Sequence, residues 1–300
     1  MRAAPAKRRK PTQSAEAVAA LRAASCGEPE PSVRNPDYLA RDFVTSAFYR
    51  SLLALPSSLS KRLIERLSPG SYSYFLARTH FIDTHLRHAL HDGFEQVVIL
   101  GAGYDSRAMR FAKERGTIPV FEIDLESTQQ AKRERMLMRG VSQPAHTHYL
   151  AHDFTQGDLI TTLTQAGFRL SKKTLFIWEG VSYYLPEDAV LAVFRELIGA
   201  AVSGSRMVFD YSLKSFVNGA TDTYGGVSMQ RWLKKNNEPF LFGSEVAELP
   251  HVVSPFGLRV VEDLSPADYS QRYLISPEGA AVGQPLGHLR MALVEKLPFE

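Results

Sequence analysis

Cysteine is almost absent: Cys26 is the only one in 300 residues. No internal disulfide can form, cysteine-based metal sites are excluded, and a reducing compartment, the cytoplasm, is the expectation. No run approaches the ~20 consecutive apolar residues that a membrane-spanning helix requires, so a soluble protein is expected. Net charge is also scarce, at +3, and five Lys/Arg without an acid sit in the opening "MRAAPAKRRK", leaving the body close to neutral. Such a body lacks the basic face that a nucleic-acid duplex selects. The basic start has no apolar segment behind it, so a secretory signal is not expected; a solvated, disordered tail is the expectation.

What is present is an ordinary globular composition, 44% apolar and 22% charged, in a chain long enough for one main domain with a small addition. Residues 1–34 read as the disordered tail plus a short Ala-rich helix over 14–24, ended by the Gly/Pro-rich "CGEPEPSVRNP". Residues 35–300 read as one domain. Its helical lead-in (35–92) is broken at Pro56 and at Pro69-Gly70. A core (93–211) then alternates apolar runs, "QVVIL", "IPVFEI", "THYLAH", "TLFIW" and "RMVFDY", with helix-like segments, which implies a parallel sheet covered on both faces. A Gly/Asn-rich insertion (212–250) suits a cap over a substrate. The final segment (251–300) supplies two strands, "LRVVEDL" and "HLRMALVEKL", without another helix between them, and an antiparallel end to the sheet. In "NPDY" (35–38), Pro36 is expected to set the first turn of a helix; the second proline of the base-gripping motif of nucleic-acid amino-methylases is missing.

The stretch "VVILGAGYDSRAMRF" places a glycine-rich turn between a strand and a helix, where ligands bind in open α/β sheets. A dinucleotide fingerprint would carry a third glycine around the pyrophosphate. Here Gly101 and Gly103 are followed by Asp105 and Ser106, and an acid beside phosphate is unfavourable. The loop suits a nucleoside without phosphate, and S-adenosylmethionine is such a ligand. Asp124, ending the second strand in "VFEIDLE", is placed to accept hydrogen bonds from ribose hydroxyls in preference to Glu122. Asp153 and Phe154 in "HDF" offer an acceptor and an apolar contact to adenine. Glu179 in "WEGVSYYLP" offers a partner for an ammonium, with Tyr183 and Tyr184 beside it to tolerate a sulfonium.

With these residues in place, the chain resembles the leucine carboxyl methyltransferase family of class I S-adenosylmethionine-dependent methyltransferases. The likeness runs from about residue 35 to 211 and rests on "NPDYLARDFV", "ARTHFID", "LGAGYDSRAMR", "EIDLE", "HDF" and "EGVSYYL" in that order. It implies a Rossmann-like fold with a seven-stranded, mostly parallel sheet whose last strand is antiparallel, and S-adenosylhomocysteine as product. It also implies that Arg78 binds the cofactor carboxylate, Gly101 makes the loop's backbone contact, Asp124 binds ribose, Asp153 adenine, and Glu179 the amino-acid end. Phe154 stands where the family commonly has leucine. The cap matches no motif of the family.

Methyl transfer needs alignment above all, and a carboxylate acceptor, ionised at neutral pH, needs no general base. No Ser/His/Asp arrangement announces itself, in keeping with O-methylation of a carboxylate on a small, secondary-metabolite-like molecule. A phenol, an amine or a protein C-terminal carboxylate is an alternative acceptor; an NAD-dependent oxidoreductase and a non-catalytic cofactor-binding protein are alternatives of other classes. His80, two residues after Arg78, is the expected base or acceptor contact, with Tyr184 beside it. Tyr183, Tyr211 and Tyr224 are further expected pocket residues. His85, His88 and His91 read as helix surface, and no metal site is expected.

Overall fold

The computed structural model describes residues 13–155 and 158–298, so the expected basic tail lies outside the described residues. Among the described residues there are seven strands: β1 (Gln96–Leu100), β2 (Val120–Asp124), β3 (Thr147–Ala151), β4 (Thr174–Trp178), β5 (Arg206–Ser212), β6 (Leu258–Leu264) and β7 (Leu289–Lys296). They pair in the order β3-β2-β1-β4-β5-β7-β6. The β3-to-β5 pairings are parallel, and β7 runs antiparallel between β5 and β6. Every residue of β1 and β4 is buried, which is why these strands read as unbroken apolar runs rather than alternating ones. This is the expected Rossmann-like sheet. One apolar cluster covers each face of it.

The lead-in comprises α1 (Gln13–Ser25), α2 (Ala47–Leu53), α3 (Ser57–Leu67) and α4 (Ser71–His91). Within the core lie α5 (Arg107–Arg110), α6 (Ala112–Arg115), α7 (Glu126–Met138), α8 (Leu159–Gln165) and α9 (Glu187–Val193). The cap contains α10 (Lys214–Val217), α11 (Gly226–Asn236) and α12 (Leu249–Val253), and α13 (Pro266–Tyr273) follows β6. Gly70 enters α4 at φ +84°, and a Cβ there would lie 2.8 Å from the Leu286 backbone nitrogen. The lead-in and the chain entering β7 thus cross at backbone distance.

Three expectations change. The Ala-rich helix forms, as α1, but it is part of the domain: Ala19, Ala20, Ala23 and Ala24 are buried, because small side chains let α1 lie close against α4. The folded unit therefore begins before Asn35. Pro36 does not start a helix. The Asn35 side chain instead accepts the Asp37 N–H at 2.9 Å and donates to Thr79 Oγ1, turning the chain so that Asp37 is buried. Between β6 and β7, where no helix was expected, α13 begins at a capping box in which Ser265 and Asp268 satisfy each other's backbone N–H groups. "SPAD" carried that signal.

Candidate functional site

The register of the strands builds one edge of the site. Leu100 pairs with Ile123, Ile99 with Ile177, and Trp178 with Phe209. Carried on by one residue for the first and third pairs and by two for the second, the same register sets Asp124, Gly101, Glu179 and Asp210 level across four neighbouring strands. This row spans the point where strand order reverses between β1 and β4, the usual ligand crevice of such sheets. Gly101 is held at φ +65°, and a Cβ there would meet Val181 Cγ2 at 2.3 Å, so the turn after β1 admits no larger residue without rearrangement.

Around the row lies a continuous buried ion network. Arg78, from α4, gives Nη2 to Glu179 Oε1 at 2.9 Å and Nη1 to Asp210 Oδ2 at 2.6 Å. Arg107 bonds Glu179 Oε2 and Asp105 Oδ2 through Nη1, each at 2.5 Å, and Asp83 Oδ1 through Nε at 2.7 Å. Asp83 also holds Arg110. Arg110 and Arg22 both approach Asp37, at 3.5 and 3.2 Å. The network joins four guanidinium groups to five carboxylates, an excess of one negative charge. Burial alone would raise the Glu179 carboxyl, but Arg107, Arg78 and Arg22 outweigh it and hold it far below the ordinary range.

Asp210 was not picked out from sequence: it lies inside β5, two residues before its end, yet the register sets it level with Glu179. It accepts from Tyr74 Oη and Arg78 Nη1, and through Oδ1 from the Gly180 N–H, each at 2.6 Å. Arg78 and the loop after β4 are thereby anchored to β5. Arg22, Asp37, Asp83, Arg107 and Arg110 also went unrecognised.

Asp124 Oδ2 accepts the Gly103 N–H at 2.6 Å and Oδ1 the Leu125 N–H at 2.6 Å. Burial raises its carboxyl above the ordinary value against these bonds. Glu122 lies one pleat repeat deeper on the same side of β2, fully buried and ion-paired with Lys132. Both oxygens of Asp105 accept from Arg107, one from its backbone N–H and one from its guanidinium. Asp153 caps a turn by accepting from Thr155 N and Oγ1, and Phe154 packs at the β3 end with His152. These two stand at the sheet edge but outside the ion network.

The placement of His80 differs from expectation. Two helical residues span 200°, so with Arg78 aimed at Glu179 the His80 ring points elsewhere, stacking with Tyr273 at 6.1 Å. It lies near the backbone of Val33 and Arg34, and burial lowers its pKa. Tyr183 reaches the cluster, its Oη 3.4 Å from both Arg78 Nη1 and Asp210 Oδ2. Tyr184 stands behind it, 4.9 Å from the Tyr183 ring and 5.1 Å from that of Phe240 in the cap. Tyr211 is directed to Asp263 and Tyr224 to Glu65, both away from the site. His85 pairs with Glu262 at 3.0 Å.

Helix α1 closes the site from above the glycine loop. Arg22 Nη2 donates to the Tyr104 carbonyl at 2.7 Å, and a Cβ at Gly103 would sit 3.7 Å from Ala15 Cβ. Arg22→Met is expected to cost roughly 1–3 kcal/mol by leaving that carbonyl and Asp37 short of a donor. Denaturant melts give the loss, and faster hydrogen exchange at residues 101–106 locates it.

S-adenosylmethionine brings a carboxylate, an ammonium and a sulfonium. The Arg78–Glu179 pair offers one charge of each sign for the first two, and the network's excess negative charge suits a net cation, so the residues present fit this cofactor. Among the described residues no helix is long and apolar enough to cross a membrane. The comparisons agree with this fit. A family model described as leucine carboxyl methyltransferase matches residues 15–198. The chain is 26% identical over 253 residues to YktD of Bacillus subtilis (strain 168), named as an S-adenosyl-L-methionine-dependent methyltransferase, covering 79% of this chain and 83% of that one. It is 32% identical over 222 residues to a similarly named protein of Mycolicibacterium paratuberculosis, covering 72% and 66%. A DUF574 family protein from Streptomyces avermitilis superposes with a TM-score of 0.61 at 15% identity, covering 96% of this chain and 98% of that one. A methyltransferase structure from Thermobifida fusca superposes with a TM-score of 0.60 at 15% identity over 96% of each chain. These two likenesses concern the fold. The chain belongs to the leucine carboxyl methyltransferase family and is an S-adenosylmethionine-dependent methyltransferase.

Proposed function

We propose that this methyltransferase acts in the cytoplasm on a carboxylate oxygen of a small-molecule acceptor. The observation that carries this reading is that no histidine among the described residues faces the cluster, whose carboxylates Glu179 and Asp210 are already committed to arginines. Among the described residues, no histidine hydrogen-bonds or ion-pairs with the Arg78–Glu179–Asp210 cluster; His80 stacks on Tyr273 and His288 on Phe216. An acceptor that arrives ionised needs no such base, whereas a phenol or ammonium acceptor commonly does. Arg78 is placed for the cofactor carboxylate, Glu179 for its ammonium, Gly101 and Gly103 for its sugar edge and Asp124 for the ribose hydroxyls. Asp153 and Phe154 fall to the adenine end. The bound cofactor supplies a methyl carbon already activated by its sulfonium. The protein's part is then to align and exclude water, a contribution of roughly 7–11 kcal/mol when orientation is complete. Tyr183, Tyr184 and the cap's Phe240 pack together where the loop after β4 meets the cap, aromatic surface suited to an apolar acceptor body.

The test is methyl-labelled S-adenosylmethionine with panels of carboxylic acids, phenols, amines and C-terminal peptides. A methyl ester releases its label as volatile methanol in alkali. Label that stays on product through alkali overturns the carboxylate assignment. Asp124→Ala is expected to weaken S-adenosylhomocysteine binding by about tenfold or more, through loss of hydrogen bonds to a charged group. Wild-type affinity should fall from neutral toward acid pH, because the raised Asp124 carboxyl protonates early and loses its acceptors. Titration calorimetry of the variant across the same range should show a flatter profile.

A further inference from the structure

We infer that Arg107 is the positioning residue for the cofactor's amino-acid end, acting through Glu179 without touching the cofactor. Arg107 is 1% exposed and its guanidinium is committed to carboxylates from three different elements. Nε holds Asp83 of α4, while Nη1 is shared between Asp105 of the glycine loop and Glu179 after β4. The two oxygens of Glu179 are thus divided: Oε2 belongs to Arg107 and Oε1 to Arg78. A zwitterionic ligand end can replace the Arg78–Glu179 contact one charge for one charge, its carboxylate meeting Arg78 and its ammonium meeting Oε1. That exchange leaves Glu179 in place only because Oε2 is pinned from behind. Without the pin, the carboxylate can rotate to present both oxygens to Arg78 in a bidentate pair, which withdraws Oε1 from the ammonium. Arg22 Nη1, 4.0 Å from Oε1, adds a further pull away from it. The same nitrogen of Arg107 ties Glu179 to Asp105, so the glycine loop and the ammonium acceptor move as one unit. Lysine cannot replace it, since a single ammonium lacks the planar fork that reaches three carboxylates at fixed angles.

This rests on the reading that Glu179 receives the cofactor ammonium. The experiment compares S-adenosylhomocysteine with 5′-methylthioadenosine, which keeps the adenosyl half and lacks the amino-acid end. Binding of each is measured by calorimetry to wild type, to Arg107→Lys, and to the charge-balanced double variant Asp83→Asn with Arg107→Gln. The expected result is that both variants bind S-adenosylhomocysteine about tenfold or more weaker while 5′-methylthioadenosine binding changes little. A role confined to folding would weaken both ligands together, and that outcome overturns the inference, as does an unchanged preference in a folded variant. Failure of the wild type to prefer S-adenosylhomocysteine would instead overturn the Glu179 reading beneath it. The double variant keeps the test decisive if Arg107→Lys does not fold.

Discussion

Glu179→Gln is expected to destabilise the protein by about 3–5 kcal/mol, the cost of removing one partner from a buried ionic cluster. Three guanidinium groups, Arg22, Arg78 and Arg107, converge on this carboxylate, which is 9% exposed. A neutral amide satisfies one Arg78 or Arg107 donor through its oxygen and turns its own N–H₂ toward another cation. The loss has a pH signature. Because the folded Glu179 carboxyl lies below its ordinary value, its contribution is complete above about pH 4.5 and disappears as pH falls through the lower, folded value. The difference between wild type and variant should therefore be constant from pH 6 to 8 and shrink under acid conditions, as read from denaturant midpoints. A difference that grows on acidification would show that Glu179 is not the anion the three arginines share. S-adenosylhomocysteine binding should be lost in the same variant, and 5′-methylthioadenosine binding should survive wherever the protein remains folded.

The strands of the sheet were legible because each is a short apolar run between polar or glycine breaks. Their register then turned strand-end acids into a row, so Asp124 and Glu179 could be found from position alone. Asp210 stands level with them but inside β5, which continues through Ser212, so no strand end marked it. The placements of Asp105 and His80 were less legible, for a reason that distance along the chain conceals. Asp105 is two residues from Arg107 and folds back onto it. His80 is two residues from Arg78 but on the opposite side of a helix. Arg22 shows the limit of composition as a guide: an Ala-rich segment next to a basic terminus reads as peripheral, yet its alanines let the helix approach closely enough for Arg22 to reach Tyr104 and Asp37. Ion partners separated by tens of residues leave no periodicity to detect.

The Glu122–Lys132 pair sets a second large expectation, and here the sign depends on how many partners are removed. Both side chains are buried, Glu122 at 0% and Lys132 at 1% exposure, and Oε1 of Glu122 has no hydrogen-bond partner among the described residues. Burial raises the Glu122 carboxyl to about 7, with Lys132 opposing the shift only in part. Glu122→Leu alone should cost about 3–5 kcal/mol by stranding the Lys132 ammonium, whereas Glu122→Leu combined with Lys132→Met should be neutral or stabilising by about 1–4 kcal/mol, since an apolar pair of similar volume escapes the desolvation cost of two ions. The pH dependence separates this from simple repacking. A carboxyl raised on folding holds its proton more tightly in the folded state, so the wild type loses stability as pH climbs from the unfolded value through about 7. The double variant lacks that loss, and its advantage over wild type should widen by roughly 2 kcal/mol between pH 5 and 8. Thermal melts of both proteins across that range measure it directly. A double variant less stable than wild type at pH 8, or an advantage that narrows with rising pH, would mean that the pair is held ionised by surroundings stronger than those that face it here.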